Sequence, residues 1–189
     1  METFPAPADA TPQTAAPLTP QANRKRWLAF SVLGMGTLMN VLDTTIANIA
    51  LTPIQETLGF SASGLAWVVN AYMLTFGGFL LLGGRLGDLY GPRKLFLVGL
   101  VIFTAASLAC GVAQTQTILI AARAVQGIGA ALVAAVSLSI VMYLFQDGPG
   151  RAKAMGIFAF IASGGGALGS LLGGFITAHF DWHWNFLIN

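Results

Sequence analysis

The sequence predicts an all-α membrane protein with five complete transmembrane helices and the start of a sixth. Two observations carry that prediction, and a third orients it. First, 56% of the residues are apolar and only 8% are charged, with a mean hydropathy of +0.74. A domain that faces water carries about 25% charged residues, so this surface is built for a lipid bilayer. Second, the apolar residues fall in stretches of roughly 20, the length that crosses a bilayer as a helix. Third, the Lys and Arg residues fall on alternate flanks of those stretches.

The elements follow in order. Residues 1–23 form a Pro/Ala/Thr-rich tail, with Pro5, Pro7, Pro12, Pro17 and Pro20 and no apolar periodicity, which predicts a disordered segment. The tail lacks the basic start and apolar run of a cleavable signal peptide, so the first span is expected to act as an uncleaved signal-anchor. Residues 24–189 read as a partial transmembrane domain. Its spans are expected at about Trp27–Leu51, Gly64–Gly84, Leu95–Ala113, Thr117–Tyr143 and Ala154–Ala178, with a sixth opening at Trp182. Gly148-Pro-Gly150 reads as a turn. Three spans plus two and a fragment look like a chain cut within the second of two three-helix repeats.

Arg24, Lys25 and Arg26 precede span one; Arg85, Arg93 and Lys94 separate spans two and three; Arg151 and Lys153 separate spans four and five. The connections 52–63, 114–116 and 179–181 carry no Lys or Arg. The positive-inside rule then places the N-terminus in the cytoplasm and the chain in the cell (inner) membrane as a multi-pass protein.

Other classes find little support. A net charge of +2, with cations in short clusters, gives no footprint for nucleic acid. Cys110 is the one cysteine and sits in an apolar run, which suits a small core residue and offers neither a disulfide nor a metal cluster. No cofactor loop and no nucleophile–base pair stands out, so an enzyme is not expected. His179, Asp181 and His183 superficially suggest a metal site, but a short interfacial loop explains them better.

Two charges lie inside the spans. Placing one at the bilayer centre costs about 2.5–3.5 kcal/mol on insertion scales, so such residues face a cavity or a partner. Asp43 and Arg123 lie at similar depth, roughly 9–12 Å below the outer boundary at a helical rise of ~1.5 Å per residue. A direct or water-mediated pair across the bundle is expected. Thr37, Asn40, Thr44 and Asn48 recur at helical spacing on one face, with Asp43 at its edge. Gln126 lies one turn from Arg123, and Gly127 allows a second backbone to approach. Asn40, Thr44, Asn48, Asn70 and Gln126 are candidates for a substrate cavity. The pair reads either as a structural tie between helices or as a carboxylate that exchanges protons. In span five, Gly165, Gly169 and Gly173 form one row and Gly166, Ser170 and Gly174 a parallel one, the small-xxx-small pattern of close helix packing.

The segment Gly84-Arg-Leu-Gly-Asp-Leu-Tyr-Gly-Pro-Arg-Lys94 resembles motif A of the major facilitator superfamily, with Gly84, Leu86, Asp88, Gly91 and Arg93 in register and Leu89 and Pro92 at two often basic positions. Leu119–Ala131, holding Arg123, Gln126, Gly127 and Gly129, resembles motif B. Gly156, Gly165, Gly169, Gly173 and Gly174 match motif C, the antiporter motif, except that Ser170 stands where a proline is usual. Leu42–Leu51 is similar to the first-helix motif of the fourteen-helix drug:proton antiporters, with its proline one place late at Pro53. Trp182–Asn189 resembles the opening of helix six in that branch, with His183 at a usual arginine.

The resemblance implies the N-terminal part of a major facilitator helix bundle, which works with a missing C-terminal half. It implies proton-coupled efflux of small amphipathic molecules or drugs, with protons and a small-molecule substrate as partners. Asp43 and Arg123 would couple protons. Gly84, Arg85, Asp88, Gly91, Arg93 and Lys94 would gate the conformational change, Asp88 by capping or salt-bridging neighbouring helices. A metabolite or sugar transporter of the same fold is the alternative, or a non-transporting assembly partner if the chain ends at Asn189. No metal and no cofactor is implied.

Overall fold

The computed structural model describes residues 19–188, which form helices and connections without a strand. Helix α1 (Pro20–Ile49) starts because Pro20 fits the first helical position and the Thr19 hydroxyl accepts from the Ala22 amide at 3.4 Å. Residues 20–23, expected in the tail, are therefore the first turn of α1, and the tail's residues 1–18 lie outside the described residues. The segment expected as a plain connection after span one holds a second helix, α2 (Leu51–Leu58). Gly59 ends α2 in the left-handed region, at φ +66°.

Helix α3 (Ala62–Tyr90), capped by Ser61, outruns the expected end at Gly84. The motif A residues Arg85 and Asp88 are therefore helical rather than in a loop. The whole turn into α4 (Pro92–Gly111) is one residue, Gly91, at φ +90°, a conformation glycine alone enters without strain. Thr115 caps α5 (Gln116–Leu144). Asp147 caps α6 (Gly148–His179), accepting from the Gly150 amide at 2.8 Å. Gly148-Pro149-Gly150, read as a turn, is the first turn of α6, because Asp147 supplies the cap and proline is tolerated there. The sixth segment contributes α7 (Trp184–Leu187).

Five of these helices, α1, α3, α4, α5 and α6, are long and apolar enough to cross a membrane. Their apolar side chains also face outward: Leu81, Phe160 and Leu171 are more than 70% exposed. That inversion is what a lipid-facing surface requires. The chain is a multi-pass membrane protein.

Packing centres on α5, which lies closely against both α3 and α4. A Cβ on Gly127 would meet the Tyr72 carbonyl and the Thr75 hydroxyl of α3, and one on Gly129 would sit 2.8 Å from the Gly99 carbonyl of α4. Backbone meets backbone at both places, as the sequence suggested for Gly127. Helix α6 packs mainly on α1. Gly165, Gly169 and Gly173 receive Val41, Thr45 and Ile46 respectively, while the parallel row at Gly166 and Gly174 has nothing within 4 Å. One of the two small-residue rows is thus a helix contact, and the other is open.

Candidate functional site

Asp43 lies six residues before the end of α1, and Arg123 seven residues after the start of α5, which runs the opposite way. At ~1.5 Å per residue the two reach the same level, about 10 Å from those helix ends. They meet directly. Arg123 Nη1 donates to Asp43 Oδ2 at 2.6 Å, with the two side chains 1% and 0% exposed.

Gln126 completes a closed triangle. Its Oε1 accepts from Arg123 Nη1 at 2.8 Å, while its Nε2 donates to Asp43 Oδ1 at 2.7 Å. Both carboxylate oxygens therefore receive strong donors. Arg123 is held further by its Nε–H to the Val68 carbonyl (3.2 Å) and by the Tyr72 ring, 4.3 Å below its guanidinium. The network runs on toward α7. Gln126 Nε2 also donates to Ser107 Oγ at 3.1 Å, and Ser107 Oγ donates to the Phe186 carbonyl at 2.8 Å.

Removing two ions from water costs several kcal/mol each, and attraction repays this only when the other hydrogen-bonding positions are filled. Here they are filled by Gln126, Val68 and the Tyr72 face. A proton on Asp43 would remove the counter-charge of Arg123, whose remaining partners are neutral.

The other candidates divide. Asn40, one turn before Asp43, donates to the Ala130 carbonyl of α5 at 3.2 Å, and its buried Oδ1 has no partner among the described residues. Thr44 bonds back to the Asn40 carbonyl at 3.1 Å, and the exposed Asn48 to the Thr44 carbonyl at 2.7 Å. Asn70 is exposed on α3. Gln126, expected in a substrate cavity, is instead fully buried in the ion-pair network, because that network has two atoms only a carboxamide can satisfy together.

At the opposite end, Arg85, Asp88, Arg93 and Lys94 are exposed. Asp88 makes neither the helix cap nor the ion pair expected of it among the described residues, since α4 starts at Gly91 without a side-chain cap. Gly84 faces open space, whereas Gly87, one turn before the Gly91 corner, packs against Val136. Gly156 also faces open space, and Ser170 turns its hydroxyl back to the Gly166 carbonyl at 3.0 Å. The Asp181–His183 pair is a local contact of 2.7 Å on the connection after α6, where the imidazole holds the Asp181 carboxyl below the usual carboxylate range.

Sequence reasoning missed Tyr72, Ser107 and the Val68 and Phe186 carbonyls. Tyr72 lies opposite Gly127, a contact that only the folded chain shows. The carbonyls carry no signal in a sequence. Cys110, taken for a core residue, is buried and places its thiol 3.6 Å from Gln126 Oε1.

The sequence profile of the Major Facilitator Superfamily matches residues 33–189. The chain belongs to the major facilitator superfamily. Among its relatives, a puromycin resistance protein of Streptomyces alboniger is 42% identical over 87% of this chain and 33% of its own length. A cephamycin export protein of Amycolatopsis lactamdurans is 45% identical over 79% of this chain and 31% of its own. A multidrug resistance protein of Mycobacterium tuberculosis is 39% identical over 88% and 31% respectively. The chain thus spans about a third of the length of the curated relatives it matches. Membership in this transporter family accounts for the five membrane-length helices.

Proposed function

We propose that this chain is the proton-coupling part of an exporter that moves small amphipathic molecules by alternating access. In this reading it rocks against the rest of a longer bundle, with its N-terminus in the cytoplasm and its helices in the cell membrane. The single observation that carries the proposal is the sealed Asp43–Arg123–Gln126 triangle, in which one carboxylate receives a strong donor on each oxygen. Protonation of Asp43 would free Arg123 and Gln126 to change partners, and deprotonation would draw them back. The basic flanks Arg24–Arg26, Arg93–Lys94 and Arg151–Lys153 support the orientation.

The relatives' names divide the cargo between drugs at large and a single antibiotic, since one is a multidrug resistance protein and others are named for puromycin and cephamycin. The test is transport in proteoliposomes carrying an imposed pH gradient, with ethidium and puromycin as cargo. Asp43→Asn should abolish gradient-driven accumulation of either compound while the protein still inserts. Undiminished accumulation by that variant would remove Asp43 from the coupling role.

A further inference from the structure

A second charged site lies at the other end of α1. Arg26 is 17 residues before Asp43, about 25 Å away along the helix. There a cleft of about 1350 Å³ opens between the start of α1, the Tyr90–Lys94 corner and the end of α5. Four cations line it, Lys25, Arg26, Arg93 and Lys94, against one carboxylate, Asp147.

That carboxylate is already matched. Arg26 Nη1 is ion-paired with Asp147 Oδ1, and Asp147 Oδ2 caps α6. Lys25, Arg93 and Lys94 have no carboxylate within salt-bridge distance among the described residues. Arg26 Nε–H is buried and lacks an acceptor. The Arg93 and Lys94 amides open α4 without a side-chain cap and without a backbone acceptor. The cleft therefore presents cationic side chains and unfilled N–H donors together, the combination that binds a phosphate group.

Its walls point to the source of that phosphate. The edges of the buried Ile140 and half-buried Leu144 of α5 add apolar lining beside the cations, and Tyr143 between them in sequence stands 75% exposed, as aromatic residues do at headgroup level. We infer that the cleft is a binding site for the phosphate of an anionic membrane phospholipid, with its acyl part along α5. Basic pockets between helix ends at a membrane surface suit such headgroups. The inference rests on placement in a bilayer and is independent of the coupling role of Asp43.

The experiment is a titration of the purified protein in phosphatidylcholine nanodiscs with phosphatidylglycerol, read as the rise in unfolding temperature and as lipid retained in native mass spectra. Arg93→Gln/Lys94→Gln is compared with Arg24→Gln/Arg85→Gln, which removes the same charge at the same end from residues outside the cleft. Midpoints in pure phosphatidylcholine verify that both variants fold. The cleft variant should lose about thirty-fold in apparent affinity for phosphatidylglycerol, and the other variant less than about three-fold. Equal losses in the two would overturn the site in favour of diffuse surface charge. Inorganic phosphate that stabilises the protein as well as the lipid does, and displaces it, would overturn the lipid assignment.

Discussion

Replacing Asp43 by Asn changes one oxygen for an NH2 group, yet the geometry makes it a severe change. Both Asp43 oxygens face donors, Arg123 Nη1 on one side and Gln126 Nε2 on the other. An amide nitrogen must therefore meet a donor whichever way it turns. Rotating the Gln126 amide to relieve that contact points its own NH2 at Arg123 Nη1, which now donates to its oxygen. The frustration cannot be moved out of the triangle, and Arg123 is left buried without a counter-charge. Breaking a buried pair from one side costs about 3–5 kcal/mol. Arg123→Met, which strands Asp43, should cost a similar amount. The double variant Asp43→Asn/Arg123→Met holds no buried charge, and apolar replacement of a buried pair is often near neutral. It should therefore be more stable than either single variant, with a coupling energy of at least about 2 kcal/mol. Reversible unfolding in mixed micelles, run as a double-mutant cycle, measures this directly. Losses that add to within about 0.5 kcal/mol would show that the two side chains do not hold each other, and the reasoning about the triangle would fail with them.

Three more outcomes follow from the packing and the charges. Gly127→Val drives a side chain into the Tyr72 carbonyl and Thr75, so α3 and α5 should separate and folded yield in detergent should collapse. On α6, Gly169→Val meets the Thr45 Cβ of α1 at 2.9 Å and should destabilise, while Gly166→Ala, with open space around it, should be neutral or stabilising by up to about 1 kcal/mol; unfolding midpoints separate the two. The hydrogen bond from Arg26 holds the Asp147 carboxyl below the usual carboxylate range. A lowered value in the folded state means the contribution is present at neutral pH and fades as pH falls through that range. The midpoint difference between the protein and Asp147→Asn should therefore shrink between pH 6 and the acid limit near ~pH 3, and a difference that grows with acidity would contradict the assignment.

How much of this was legible in the sequence depends on the type of signal. Span number and the depth match of Asp43 with Arg123 came through, because lipid enforces apolar length and punishes buried charge. Helix ends did not. The turn at Gly91 needs only one residue, so α3 runs through what hydropathy marks as a loop, its polar residues Arg85 and Asp88 lying on projecting turns. Likewise Gly148-Pro149-Gly150 carries turn residues, but Asp147 converts them into a helix start. At the site, side chains with unusual cost were visible and their satisfiers were not. Arg123 announces itself by charge; the Val68 and Phe186 carbonyls that complete the network are the same in every residue type. Of the two glycine rows on α6, spacing alone could not say which one meets α1.

The packing also explains why one charge pair can matter to the whole unit. Helices α3, α4 and α5 are joined through backbone contacts at Gly127 and Gly129, and α6 is joined to α1 through its glycine row. Both are contacts that a proton cannot alter. Between these two groups the α1–α5 contact is much sparser. Its buried polar links are Asp43 to Arg123 and Gln126, with Asn40 to the Ala130 carbonyl one turn away. Toward the basic end the seam is closed by Trp27, Phe30 and Phe145 in edge contacts of 4.9–5.5 Å, with Arg26 stacked over Phe145 at 4.5 Å. Those aromatic contacts lie beside the exposed Arg26–Asp147 ion pair, whereas the Asp43 end holds the seam by a buried charge pair. Removing that charge, as in Asp43→Asn, should therefore weaken the α1–α5 seam at the Asp43 end, while the glycine row keeps α6 packed on α1.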